Sequence, residues 1–316
     1  MIKSLMNTIA SHGDRGAVVP FSRVDDLKND MLELKNGEYH TDWLDRMAKH
    51  MAGDENRFIP SDTDFTPRAL ISIVMPNPKV LLQFCYRGNL IHCVVPPHYT
   101  NWYQKNDHAL RYLKNYLAPH GFSVAIVKTL PQKLLAVHCG LAQFGRNNIC
   151  YNDEFGSHMQ IMSYITDLPC DETQWFPLRR IDKCEKCHAC VTSCPTGAID
   201  STRRLINADR CITAINELPD VEFPEWISKE AHNSVVGCVL CQDCCPGNAH
   251  NINNVITGVV FSEEETEELL SNMGDTPYSV PLTAKIEATG IPPEYASARV
   301  LPRNLAALIN QCPTTN

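Results

Sequence analysis

The sequence predicts a mixed α/β (α+β) fold, and three observations carry that reading. Strand and helix patterns alternate over roughly the first 165 residues. A cysteine run then follows, Cys184-Glu-Lys-Cys187-His-Ala-Cys190-Val-Thr-Ser-Cys194-Pro195, of the form C-x2-C-x2-C-x3-C-P. A second run, Cys238-Val-Leu-Cys241-Gln-Asp-Cys244-Cys245-Pro246, comes later. The expected division is an α/β domain over 1–170, a cysteine-rich module over 171–252, and a helical segment over 253–316 that packs on the first domain.

Taken in order, residues 1–60 read as mainly helical, with Trp43, Leu44, Met47 and Met51 at helical spacing as a core-facing stripe. The apolar run 69–75, closed by Pro76-Asn-Pro78, reads as a buried strand. Residues 80–86 and 90–95 flank Arg87-Gly-Asn89, a hairpin signal. Residues 106–118 read as a helix, with Ala109, Leu110, Leu113 and Leu117 on one face and Gly121 beyond its end. A strand over 122–127 follows, and Thr129-Leu-Pro131 opens a helix with Leu134, Leu135 and Val137 on its apolar side. In the last segment, Ser262-Glu-Glu-Glu265 is a capping box ahead of Leu269, Leu270 and Met273, and 281–311 reads as further helix.

Composition narrows the class. The chain has 316 residues, 44% hydrophobic and 20% charged, as in a soluble globular protein. It has no apolar run of about 18 residues or more, so no membrane span is expected. Met1-Ile-Lys-Ser-Leu-Met6 lacks the layout of a secretory signal. Fifteen cysteines without such a signal argue for reduced thiols and metal, and so for a cytoplasmic setting. A net charge of −8 argues against generic nucleic-acid binding, and Arg179-Arg180 and Arg203-Arg204 read as solvated surface.

The two runs point to two [4Fe–4S] clusters. Each cubane needs four thiolates; the two-residue spacings wrap three corners, and the Cys-Pro cysteine reaches the neighbouring cluster. Zinc ribbons share isolated C-x-x-C pairs but not the full pattern. Nine thiols compete for eight positions. Spacing alone allows Cys244 as the third corner of the second cluster, but Cys244 adjoins Cys245, and the two would then have to serve different clusters; the alternative uses Cys211 and leaves Cys244 spare. The preferred sets are Cys184, Cys187, Cys190 and Cys245 for one cluster, and Cys194, Cys211, Cys238 and Cys241 for the other. His188 reads as a hydrogen-bond partner of a cluster, not a ligand.

Between helix and cysteines lies Gly140-Leu-Ala-Gln-Phe-Gly145-Arg-Asn147, then Phe155-Gly156-Ser157-His158. Two glycines five apart let the backbone approach a ligand closely, although a plain turn has the same signature. Neither a G-x-G-x-x-G nor a G-x-x-x-x-G-K-[ST] motif is present, so no nicotinamide or nucleoside-triphosphate fingerprint is found.

On these residues, together with Thr166-Asp167, Arg210-Cys211-Ile212, Gly237-Cys238-x-x-Cys241-Gln242 and Arg303-Asn304, the chain resembles the epoxyqueuosine reductase family, relatives of the corrinoid reductive dehalogenases, over roughly residues 70–310. The resemblance implies a cobalamin-binding α/β domain joined to a ferredoxin-like module. It implies electrons passing from an external low-potential donor of ferredoxin or flavodoxin type, through both clusters, to a cobalamin. It also implies a small-molecule or modified-nucleoside substrate. The single cysteine between the runs is a cluster ligand in that family, which favours Cys211. Gly140, Leu141, Gly145, Arg146, Asn147, Gly156 and Ser157 would line the corrin.

The chain departs from the family where the substrate reacts. The family's Asp-[Ser/Thr]-x-Pro stretch is Lys128-Thr129-Leu130-Pro131 here when two residues are deleted, and Ile126 falls at the position without a gap. The family's Asp-Tyr-His is replaced by Tyr103-Gln-Lys-Asn106, and Gln143 stands where an aromatic is usual. This is the pattern of a paralogue with a different substrate. Lys128 and His158 are the candidate proton donors. Their plainer readings are a surface lysine at a strand end and a hydrogen-bonded structural histidine.

Overall fold

The computed structural model describes residues 1–36, 58–171, 174–202, 205–219, 221–272, 277–297 and 299–310. The stripe from Trp43 to Met51, Arg203, Arg204 and Met273 lie outside the described residues. The chain divides into two compact units, Met1–Pro76 with Tyr103–Cys187, and Asn77–Trp102 with His188–Asn316. These units cut the chain differently from the expected 1–170, 171–252 and 253–316.

The first unit begins with α1 (Ile2–Ser11), β1 (Arg15–Pro20) and α2 (Val24–Asn36). Strand β1 is absent from the sequence expectation; six residues holding one glycine and ending in proline carry little strand signal. Strand β2 (Ala69–Pro76) is the expected buried strand. After the second unit's β3 (Lys79–Tyr86) and β4 (Asn89–Val95) come α3 (Trp102–Leu117), β5 (Val124–Ile126) and α4 (Gln132–His138). The tiny strands β6 (Gln143–Phe144) and β7 (Cys150–Tyr151) precede β8 (Met159–Thr166).

Among the described residues this unit holds a four-stranded sheet in the order β1-β2-β8-β5, every pair antiparallel. Strands β2 and β8 are central and buried on both faces, and β2 is apolar almost throughout. On one face Leu70, Val74, Ile161 and Ile165 pack against Leu134, Leu135, Ala136 and Val137 of α4. On the other face Tyr164 donates to Asn106 of α3 at 3.0 Å, and α1 lies close enough that a Cβ on Gly16 would meet Ile9 at 2.7 Å. The sheet is therefore sandwiched between helices.

In the second unit, Arg87 and Gly88 both have positive φ, the geometry of a two-residue hairpin turn, and join β3 to β4. Short helices α5 (Ala189–Ser193), α6 (Ile212–Asn216) and α7 (Leu240–Asp243) precede β9 (Val255–Phe261). Then come α8 (Glu263–Ser271), α9 (Val280–Ala288) and α10 (Leu301–Ile309). Strand β9 pairs parallel to β3, giving a three-stranded sheet β4-β3-β9 among the described residues. The capping box is realised: Glu265 N–H donates to the Ser262 hydroxyl, and Ser262 N–H donates to the Glu265 carboxylate. Leu269, Leu282, Leu301 and Leu305 pack against Val80, Phe84 and Phe261 of this sheet. The C-terminal helices thus cover the β3–β4 hairpin. The hairpin's inward Val80, Leu82 and Phe84 demand that cover.

Candidate metal centre

No disulfide joins any described cysteine. Among the described residues, five cysteines besides the nine candidate ligands, Cys85, Cys93, Cys139, Cys150 and Cys170, lie in the sheets or against the helix layers. Burial pushes the Cys93 thiol up to about 11 and those of Cys139 and Cys150 up to about 12, so they are small hydrophobes.

The cysteines of the runs are placed differently. Cys194 follows α5, Cys211 caps the start of α6, and Cys238 leads into α7. Their three thiols lie near one another in the second unit. Burial pushes Cys211 up, and the neighbouring Cys194 adds to it. Burial likewise pushes Cys238 up to about 11, with Cys211 and Cys194 adding. Hydrogen-bond donors oppose this: the Thr213 N–H, the Thr213 hydroxyl and the Ala214 N–H face the Cys211 sulfur, while the Leu240 N–H and the Asn233 amide face that of Cys238. Half-buried sulfurs, mutually repulsive as anions yet faced by donors, are a set that a bound cation would stabilise. Among the described residues no three His, Cys, Asp or Glu side chains are placed to hold a single metal ion; a cubane's thiolates sit at the corners of a wider cage. The donor set fits an iron–sulfur cluster.

The loops that present these sulfurs are clamped. The Asn216 amide donates to Gly237 O at 2.8 Å and accepts from Gly237 N–H at 3.1 Å. Asn304, 1% exposed, donates to Asn216 O at 2.8 Å and Val235 O at 2.7 Å. Arg303 donates to the carbonyls of Leu218 and Asn216. Gly237 has φ +72, and the Tyr99 ring lies so close that a Cβ would meet it at 2.5 Å. Tyr99 in turn donates to Glu217. At the far end of α7, the buried ammonium of Lys79 pairs with Asp243 at 2.7 Å. Cys244 turns its thiol back on its own helix, toward Cys241 O at 3.7 Å, while Cys245 precedes Pro246.

In the first unit the glycine loop follows α4. Gly140 has φ +74, and a Cβ there would meet the Phe176 ring at 2.7 Å; one on Gly145 would meet Asn147 Oδ1 at 2.5 Å and the Tyr151 ring at 2.7 Å. The close approach that each glycine permits is made by the chain's own side chains. Phe176 is held by its N–H to His138 O and by its carbonyl to His138 Nδ1, 2.6 Å apart, while His138 Nε2 lies 2.7 Å from Asp30. Arg146 and Asn147 are buried; Arg146 donates to Cys184 O, and Asn147 donates to the Tyr151 hydroxyl at 2.9 Å. Phe144 N–H donates to Arg179 O, and Ile181 N–H donates to Phe144 O. The loop is thus the docking strand for the segment that carries Cys184. Leu141 packs in the core with Ala142 and Phe155, and its carbonyl accepts from Asn152. Gly156 closes a tight bridge to Asn152, and Ser157 and His158 are fully buried beyond it. These contacts are those of a packed turn and do not form an open cradle for a corrin. Lys128 is exposed with its ammonium 5.3 Å from the Tyr103 ring centre, whereas His158 is 1% exposed. Sequence reasoning missed Asn216, Asn233 and Tyr99, whose only signals are single polar or aromatic residues far apart in the chain.

With this geometry in view, residues 183–248 match the 4Fe-4S double cluster binding domain family. An epoxyqueuosine reductase of Gloeobacter violaceus is 34% identical over 131 residues, which are 40% of this chain and 39% of that protein. One from Pseudomonas aeruginosa is 27% identical over 220 residues, 58% of this chain and 60% of that protein. The chain therefore aligns with well under two thirds of the length of these curated relatives. The epoxyqueuosine reductase structure from Bacillus subtilis superposes with a TM-score of 0.64 at 17% identity, covering 98% of this chain and 82% of that one. The fold is that of the epoxyqueuosine reductases. The Streptococcus thermophilus epoxyqueuosine reductase agrees, with a TM-score of 0.62 at 17% identity over 97% of this chain. The epoxyqueuosine reductase-like resemblance read from the sequence, the mixed α/β fold and the double-cluster domain all hold. Among the described residues no helix is long and apolar enough to cross a membrane.

Proposed function

We propose that this epoxyqueuosine reductase-like chain is an iron–sulfur reductase that draws electrons from a low-potential donor of ferredoxin or flavodoxin type and passes them through two [4Fe–4S] clusters to a substrate. The observation that carries this reading is the half-buried group of Cys194, Cys211 and Cys238, in which N–H and O–H donors face the sulfurs of Cys211 and Cys238 inside the segment matched as a double-cluster domain. Cys241 completes that set by spacing, and Cys184, Cys187, Cys190 and Cys245 serve the other cluster. A cobalamin would supply the two-electron chemistry of the family. Phe176 and Tyr151 fill the space beside Gly140 and Gly145. The test is anaerobic purification followed by iron and cobalt analysis and electron paramagnetic resonance of the reduced protein. About eight irons per chain and two reduced-cluster signals are expected; a single zinc-type site would sink the reading. Adding cobalamin settles the corrin: a shift in its absorption on binding supports it, and no shift with no cobalt co-purifying removes it.

A specific observation also favours a second reading, in which the chain hands electrons to a partner protein, such as a corrinoid protein, and reduces no small molecule itself. No carboxylate stands at Lys128 or Ile126, and the glycine loop is internally packed. Substrate-free electron transfer to an added acceptor protein, with no small-molecule turnover, would select it. One relative has been seen with an epoxyqueuosine-modified tRNA-Tyr stem loop. Rescue of queuosine in cells lacking that enzyme would extend that activity to this chain, and failure despite soluble protein would exclude it.

A further inference from the structure

Three of the four hydrogen-bonding positions of the Asn233 side chain are filled. Nδ2 donates to Cys238 Sγ at 3.2 Å and to Ala231 O at 2.9 Å, and Oδ1 accepts from Val239 N–H at 3.1 Å. Turning the amide over would set Oδ1 against a carbonyl oxygen and a sulfur, and Nδ2 against an N–H. Three contacts therefore fix the orientation that aims a donor at sulfur. Ala231 is fully buried, and Val239 is nearly so, which anchors the amide at both ends.

We propose that Asn233 sets the reduction potential of the cluster held by Cys238, by donating this N–H to the ligand sulfur; the inference rests on the double-cluster reading above. An electron added to a cubane raises the negative charge on its sulfurs. A donor aimed at one of them stabilises the reduced form more than the oxidised form, so the potential lies higher than it would without that donor. The effect is larger in a partly dehydrated site. The other donors facing this pair of sulfurs are mainly backbone N–H groups of Thr213, Ala214 and Leu240, which come with the loop. The Thr213 hydroxyl can rotate away from its sulfur, whereas Asn233 is pinned by two further bonds. Asn233 is thus the side chain through which the sequence adjusts the cluster.

The experiment compares the wild type with Asn233→Ala and Asn233→Asp, purified anaerobically, by iron content and by redox titration followed with electron paramagnetic resonance. Both variants are expected to keep about eight irons. One cluster should titrate at a more negative potential in Asn233→Ala, and at a more negative one again in Asn233→Asp, where a carboxylate replaces the donor. The second cluster should not move. If Asn233→Ala loses iron, the shape-preserving Asn233→Asp carries the same test. Unmoved potentials in an iron-replete variant overturn the proposal, and so does iron loss from both, which would make Asn233 structural only. A wild type with fewer than two clusters overturns the double-cluster reading itself, an outcome visible before any variant is titrated.

Discussion

The sulfur of Cys211 faces Thr213, Ala214 and Cys194, whereas that of Cys244 points to the carbonyl of Cys241 on its own turn. Cys211→Ala should therefore lower iron from about eight to roughly four to seven per chain, because an open corner exposes the cubane. Cys244→Ala should leave about eight. The reverse pattern would return Cys244 to the cluster and sink the assignment. At this scale the sequence showed the thiols but not what holds them. Spacing revealed the eight cysteines of the two runs because a loop wrapping a cubane leaves a local periodicity, whereas the lone Cys211 has none. Asn216, Asn233 and Asn304 act across gaps of 5 to 88 positions, and no local pattern records such pairs. The candidate donors Lys128 and His158 also have plainer readings, and the structure leaves the lysine exposed and the histidine buried.

The glycine loop and the segment after it act as one element. Arg146 is 7% exposed and donates to the carbonyl of Cys184. Replacing it with leucine removes a charged donor from a half-buried carbonyl, a loss of about 1–2 kcal/mol. Arg146→Leu should still assemble with iron, but its visible absorbance should bleach in air about 5- to 30-fold faster than wild type. An unchanged bleaching rate would mean that this loop does not support the first cysteine run. Elements with a strong period were legible: the hairpin turn and the Ser262 capping box stand where the sequence put them, and the helix expected over 106–118 forms over Trp102–Leu117. Strand β8 was not, although all eight of its residues are buried. Gln160, Ser163 and Thr166 interrupt its apolar run, and its partner β2 lies far away in sequence, so only the tertiary fold reveals it.

At the scale of the molecule, the cysteine module is not a separable piece. Val235 and Val236, just ahead of Cys238, are fully buried in one core with β3, β4, β9 and the C-terminal helices. A fragment of residues 171–252 lacks all of those partners. It should be insoluble, or should hold clearly fewer than about eight irons when reconstituted. A soluble fragment with its full iron would show that the module folds alone. The sequence suggested such a module because the cysteines cluster. It could not show that their loop is rooted in strands coded some 140 residues earlier, as in the 142-position gap between Cys93 and Val235, and in helices coded afterwards.

That rooting gives the protein a built-in thermometer. If the core around Val235 and Val236 opens, Cys238 goes with it, and the brown colour of the bound cluster goes too. In a heat ramp under argon, visible absorbance and far-ultraviolet ellipticity should fall at the same temperature. Colour lost well before secondary structure would mean that the ligand loop can melt while its roots stay in place.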